Sequence, residues 1–192
     1  MRSKFISADV IRRLRKAMGA EAWLPFEVAL QTGLRIGDVA SLPCSAVRMT
    51  DGGAVIDFTA AKTGKEGSAR ISAGLYKKLS NKGGLWLFPG NKPGRHITRQ
   101  ALWARMKAAC ASLGVDPDGI SPHGLRKTFA VRVRQRSGFA AARDALQHNT
   151  DAVTRVYAYA DTIMRAASDD PIRWNELELI VEYVLERLKE GG

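Results

Sequence analysis

Apolar residues recur at helical spacing over most of this chain and alternate with polar ones over one short central stretch. A helix is predicted over Ala8–Met18, with Ser7 as its capping residue and Gly19 as its stop. The helical pattern resumes over Glu21–Thr32 and ends at Gly33, with Pro25 in or near the first turn. A short helix over Gly37–Leu42 is closed by Pro43. The period then changes. Ala54–Thr59 and Ala69–Ser72 read as strands around the polar turn Thr63–Gly67, and Leu85–Phe88 reads as a third strand. Ser72–Leu79 is helical, and Asn91–Arg95 is a loop. Thr98 caps a helix running to about Leu113, and Ser121-Pro122 starts another, with Pro at the first helical position. Phe139–Leu146 and Asp151–Ala160 are further helical pieces. The last helix is Asn175–Lys189, with an apolar stripe of Leu177, Ile180, Val181, Val184, Leu185 and Leu188. The pattern is that of a mainly α domain with a small antiparallel β-sheet, an α+β fold.

Charge sharpens this picture. The chain of 192 residues carries a net charge of +11. Residues 176–190 hold five Glu against one Arg and one Lys, a balance of −3, so the remainder carries +14. An excess of that size points to a polyanionic partner such as nucleic acid. No apolar run reaches the length of a membrane span, and the N-terminus has no apolar secretory core. Cys44 and Cys110 match no metal spacing and read as reduced thiols, which suits a cytoplasmic protein. No spacing suggests a Mg²⁺ or Zn²⁺ site.

The candidate chemistry lies in two places. His123-Gly124-Leu125-Arg126 is followed by His148 and, nine residues later, by Tyr157. Arg35 stands far upstream in Thr32-Gly33-Leu34-Arg35-Ile36-Gly37-Asp38. Two arginines, two histidines and a tyrosine suit attack on a phosphodiester by a protein hydroxyl. Guanidinium forks neutralise non-bridging oxygens, imidazoles share protons, and a phenol can be the nucleophile. On a helix, His123 and Arg126 are three apart and share a face.

These motifs together resemble the catalytic domain of a tyrosine recombinase of the phage integrase family, over roughly Ser7 to Tyr159. Thr32–Leu42 resembles the first-arginine box, with Asp38 three positions after Arg35. Ala61–Lys65 lies in the hairpin where the family keeps its lysine. His123–Arg126 matches the H-x-L-R box, Leu146-Gln147-His148 the box of the second histidine, and Thr154-Arg155-Val156-Tyr157 the nucleophile box. Each box is weak alone, but five in order are specific. One position departs from the pattern: Gln147 stands where the family usually has Gly.

The resemblance implies a role for each residue. Arg35 and Arg126 clamp the scissile phosphate as its charge grows. His123 accepts or shares the tyrosyl proton, or bonds the phosphate, and His148 donates to a phosphate oxygen. Tyr157 is the nucleophile, with Tyr159 as its rival. Lys62 is the general acid for the departing 5′-oxygen, with Lys65 as the alternative. Asp38 orients a neighbour such as Arg35 or its own helix. Arg95, His96, Thr98 and Arg99 contact the DNA backbone.

The implied function is site-specific recombination of double-stranded DNA through a 3′-phosphotyrosyl intermediate. The covalent linkage keeps the bond energy, so neither ATP, cofactor nor metal is required. A homotetramer on paired sites is the implied assembly, in the cytoplasm of a bacterium or phage host. Residues 1–168 are the expected catalytic domain. Residues 169–192 are a linker and amphipathic helix that docks on its own domain or on a neighbour. The family usually carries an N-terminal DNA-clamping domain ahead of this part. Two other readings remain: a DNA-binding regulator with the same fold, which the complete set of boxes argues against, and a type IB topoisomerase, which uses the same chemistry and has no need of four protomers.

Overall fold

The computed structural model describes residues 6–117 and 120–133. They fall, apart from residue 133, in the first of two units into which the chain divides, Met1–Arg132. His148, Tyr157, Tyr159, Gln147 and the helices read at 139–146, 151–160 and 175–189 lie outside the described residues.

Helix α1 spans Ala8–Thr32. The Ser7 side chain accepts from the Val10 N–H at 3.3 Å, as an N-cap oxygen should. Gly19 breaks the helical geometry inside it, at φ 73 and ψ 166. The two segments predicted on either side of Gly19 are thus two helical pieces that meet at a kink. Gly tolerates this left-handed backbone without the steric penalty of a Cβ. The second segment buries Trp23, Leu24, Phe26, Val28 and Ala29. Helix α2, Ile36–Ala40, follows after three residues.

A short 3-10 turn, Cys44–Ala46, leads into the sheet. Strand β1 is Val47–Thr50, β2 is Gly53–Thr59 and β3 is Glu66–Arg70, antiparallel in the order β1-β2-β3. The third strand is therefore Val47–Thr50, not Leu85–Phe88. Thr50 pairs with Gly53 across the two-residue turn Asp51-Gly52, a strong hairpin signal. Leu85–Phe88 lies instead beside the chain that leaves α2. The Leu87 N–H donates to the Leu42 carbonyl at 3.0 Å, and the Cys44 N–H donates to the Leu85 carbonyl at 3.1 Å. The turn between β2 and β3 also sits earlier than predicted, because β3 has already begun at Glu66.

Helix α4 (Arg99–Ser112) carries the predicted cap, and α3 (Ala73–Ser80) starts one residue later than predicted, with Ser72 as its cap. Ser72 accepts from the Leu75 N–H at 3.2 Å, and Thr98 accepts from the Ala101 N–H at 3.1 Å. Helix α5 covers 122–133, and the Ser121 hydroxyl faces the Gly124 N–H at 3.4 Å. One apolar core joins these elements. Leu14 and Phe26 of α1, Ile56 of β2, Leu75 of α3, Met106 of α4 and Leu125 of α5 all sit in it. Burial of this kind, rather than helix propensity, holds the helices in place. It also sets the frame for the polar residues at the ends of α1 and α5.

Candidate active site

The site starts where α1 stops. Gly33 caps the helix at φ 69, and its N–H donates to the Ala29 carbonyl at 2.9 Å. Thr32 tightens the exit: its hydroxyl donates to the Val28 carbonyl at 2.8 Å and accepts from the Leu34 N–H at 3.3 Å. Leu34 and Ile36 are buried on either side of Arg35. Arg35, at the first residue before α2, is left exposed. Two apolar anchors thus fix the backbone of a cation that faces solvent.

Helix α5 brings the second cation. Leu125 is fully buried, and Arg126 beside it is only 8% exposed. Nη1 of Arg126 donates to the Gly33 carbonyl, the very group that ends α1. Burial and the positive charge of Arg35 lower the Arg126 pKa to about 10, while Asp38 acts in the opposite direction. The guanidinium is still charged at neutral pH. That shift also records that Arg35, Asp38 and Arg126 share one electrostatic environment.

Gly33 is required for a second reason. A Cβ built there would lie 2.3 Å from Cδ1 of Phe129, one turn along α5 from Arg126. The close approach of the α1 terminus to α5 brings the Gly33 carbonyl within reach of the arginine. Thr128 adds a further tie that the sequence did not reveal. Its buried hydroxyl accepts from the Ile6 N–H at 3.2 Å and donates to the Gly124 carbonyl at 2.9 Å. The segment entering α1 is thereby bonded to α5.

His123 stands on the first turn of α5 with an exposed surface. Partial desolvation lowers its pKa, and the charges of Lys127, Arg126 and Arg35 lower it further. The imidazole is therefore neutral at pH 7 and able to accept a proton.

Asp38 has a different partner from the one expected. It is 6% exposed, and its Oδ1 accepts from the Ala61 N–H at 3.1 Å. The carboxylate thus reaches from α2 to the β2–β3 turn instead of folding back on Arg35 or its own helix. Lys62 is the next residue. The turn is closed by bonds to Ala60: its carbonyl accepts from Gly64 N–H at 2.8 Å and Thr63 N–H at 3.1 Å, and its N–H donates to Lys65 carbonyl at 2.8 Å. Lys62 and Lys65 both project from this turn as exposed side chains. Lys62 was expected to be held by the end of a strand. Its backbone lies in the turn, next to the Ala61 N–H that Asp38 bonds.

Arg95, Thr98 and Arg99 are exposed, and His96 is half-buried. The Thr98 hydroxyl is engaged as the α4 cap. A wider signal surrounds them. Residues 67–115 contain nine Lys and Arg and no Asp or Glu. Two of the nine are paired with α1: Lys78 with Glu27 at 2.9 Å, and Lys82 with Glu21. The carboxylate-free run was the clue in the sequence to a basic surface broader than four residues.

Residues 4–164 match the phage integrase family. The chain belongs to that family, and its motifs are those of the tyrosine recombinases within it. It is 27% identical over 143 residues to tyrosine recombinase XerD of Rhizobium meliloti, covering 69% of this chain and 45% of the relative. It is 30% identical over 145 residues to tyrosine recombinase XerC of Erythrobacter litoralis, covering 70% of this chain and 45% of the relative. The chain thus spans about half the length of the curated relatives it matches. Among solved structures, the lambda integrase catalytic core aligns with a TM-score of 0.60 at 20% identity, over 76% of this chain and 91% of that one. The XerH recombinase bound to its difH substrate aligns with a TM-score of 0.66 at 18% identity, over 82% of this chain and 50% of that one. The fold is that of a tyrosine recombinase catalytic domain.

Proposed function

We propose that this chain cuts and rejoins double-stranded DNA as a site-specific recombinase, with Tyr157 as the nucleophile. The observation that carries this reading is the shared electrostatic environment of Arg35, Arg126 and His123, beside Asp38, which bonds the turn bearing Lys62. In this reading the Tyr157 hydroxyl oxygen attacks phosphorus, and its proton passes to neutral His123. The P–O5′ bond breaks, and the leaving oxygen takes a proton from Lys62. Arg35, Arg126 and His148 hold the non-bridging oxygens through the pentacoordinate state. A 5′-hydroxyl from a second strand then reverses the sequence. Cationic side chains supply the charge stabilisation that divalent ions give elsewhere, so the reaction is metal-independent.

The relatives support the partner. XerH is described with its difH DNA substrate, and lambda integrase as a tetramer on a Holliday junction. We extend DNA binding and homotetrameric assembly on paired sites to this chain. Arg95, His96, Thr98 and Arg99 serve as backbone contacts, and residues 169–192 serve as a linker and docking helix after the catalytic part.

The test is incubation with nicked suicide substrates carrying candidate sites, in EDTA, followed by denaturing electrophoresis. A covalent adduct mapping to Tyr157 is expected. An adduct at Tyr159 would reassign the nucleophile. Absence of any adduct on every substrate, with DNA binding intact, would point to a regulator. A crossover product separates recombinase from topoisomerase.

A further inference from the structure

Between β3 and α5, the chain forms a hairpin that no catalytic role explains. Phe88 and Ile97 form its base, where the Ile97 N–H donates to the Phe88 carbonyl at 2.7 Å. Pro89 and His96 pair across it, and the Gly90 N–H donates to the Arg95 carbonyl at 2.8 Å. Gly90 permits this closeness, since a Cβ there would lie 2.7 Å from the His96 carbonyl oxygen. At the tip, the Arg95 N–H donates to the Lys92 carbonyl at 3.1 Å, and Gly94 has φ 70. Pro93 and Gly94 at the central positions are what a type II turn requires.

One side chain locks this hairpin from below. Nε1 of Trp86 donates to the Gly94 carbonyl at 2.9 Å. The same ring meets the His96 imidazole edge-on, with centroids 5.1 Å apart. His96 Nδ1 lies 2.7 Å from the Ile97 carbonyl, which can only accept, so that nitrogen carries the hydrogen. Trp86 therefore touches both the tip and the returning arm. What the hairpin displays is cationic: Lys92 and Arg95 are exposed at the tip, Arg99 follows at the start of α4, and no carboxylate occurs from residue 67 to 115.

We propose that this hairpin is a pre-shaped clamp for the phosphate backbone of duplex DNA, and that Trp86 is the residue that positions it. The inference rests on the reading of this chain as a DNA-cutting enzyme. A loop ordered before binding avoids the entropic loss of ordering its side chains on contact, so rigidity translates into affinity. Trp86 touches no phosphate in this scheme. It holds the Gly94 carbonyl, and so the turn that sets where Lys92 and Arg95 project.

The experiment measures binding of the full chain to a fluorescent duplex of mixed sequence, by anisotropy across a salt series. Trp86→Phe keeps an aromatic ring, though a smaller one, and removes the N–H. A Lys92→Ala/Arg95→Ala double variant removes the charges, and a triple variant combines all three changes. The double variant should lower affinity and flatten the salt slope by about 1 to 2, at about 0.9 per phosphate contact. Trp86→Phe should weaken binding about two- to tenfold, the range of one hydrogen bond. In the triple variant the Trp86 effect should vanish, because the groups it positions are gone. Gly94→Ala, which strains the turn from the other side, should show the same non-additivity and serves if Trp86→Phe folds poorly. A Trp86 effect that persists in full in the triple variant overturns the proposal. So does a double variant that binds DNA normally, or one that loses binding only to polyglutamate, which would make the hairpin a protein-docking element. Failure of the wild-type chain to bind duplex at all would instead strike the functional reading beneath.

Discussion

Oδ1 of Asp38 accepts the Ala61 N–H at 3.1 Å, so the helix that follows Arg35 holds the turn that carries Lys62. A buried carboxylate here joins two parts of the site that are 23 residues apart in sequence. Asp38→Ala removes both this bond and the negative charge that favours the Arg126 cation. A hydrogen bond to a charged group is worth ~1.5–3 kcal/mol, so cleavage should slow by roughly ten- to a hundredfold if the turn loses its place. Asp38→Asn can still present a carbonyl oxygen to Ala61 and should lose less. Single-turnover cleavage measures both. A substrate with sulfur as the 5′ leaving group needs no proton from Lys62, so it should recover most of the Asp38→Ala loss. No recovery on the sulfur substrate would show that Asp38 acts through something other than the lysine turn.

The glycine at the end of α1 gives a prediction about stability. Gly33→Ala meets two separate penalties. A left-handed backbone costs a non-glycine residue ~1–2 kcal/mol, and the contact with Phe129 adds an overpacking strain of ~1–3 kcal/mol. Chemical denaturation should show both. Phe129→Leu, introduced with Gly33→Ala, should restore the packing part and leave the backbone part. Complete rescue would mean that the φ of 69 carries no strain.

What the sequence made readable was what is local. Ser7 and Thr98 were identifiable as caps because each oxygen serves an N–H only a few residues away. Gly19 was readable as the break between two helical pieces. Leu85–Phe88 was mistaken for a strand because its composition is apolar and aromatic, yet its partner is a loop and not the sheet. The true strand, Val47–Thr50, has two exposed residues at its centre and no alternating pattern, so only the Asp51-Gly52 turn marked it. In the structure Arg35, His123 and Arg126 share one electrostatic environment. The contacts that bring them together, Gly33 with Arg126, Asp38 with Ala61 and Ile6 with Thr128, span tens of residues or more. Such pairings follow from packing, which no local pattern encodes.

In the proposed mechanism His123 would set the acid side of the pH profile. Its pKa lies below the ordinary 6.5, first through desolvation and then through Lys127, Arg126 and Arg35. If it accepts the tyrosyl proton, cleavage should be at full rate at pH 7 and fall only below about 6.5. The sign for stability is the same. The unfolded chain binds this proton first as pH drops through about 6.5, so stability is lost from there down to the folded pKa. His123→Gln should abolish the acid limb in single-turnover cleavage. An unchanged limb in that variant would remove His123 from the proton transfer.

The two arginines should fail differently. Arg35 is exposed, with apolar residues fixing only its backbone, so Arg35→Ala removes charge from solvent and little packing. Arg126 is buried and donates to the Gly33 carbonyl, so Arg126→Ala also leaves that carbonyl without this donor. Losing a charge-stabilising donor typically costs ~10²–10³ in rate, and both variants should show at least that in cleavage with little loss of DNA binding. Only Arg126→Ala should also lose stability, by ~1–3 kcal/mol for the stranded acceptor, offset in part by relief of a buried charge. Lysine should rescue neither well, because an ammonium cannot replace a bidentate fork on a phosphate, and at Arg126 it would also have to keep the bond to the Gly33 carbonyl. Denaturation of each variant beside its cleavage rate decides the matter. Equal stability losses at both positions would mean that the burial of Arg126 contributes nothing specific. Parallel losses of binding and rate would mean that both residues merely position DNA.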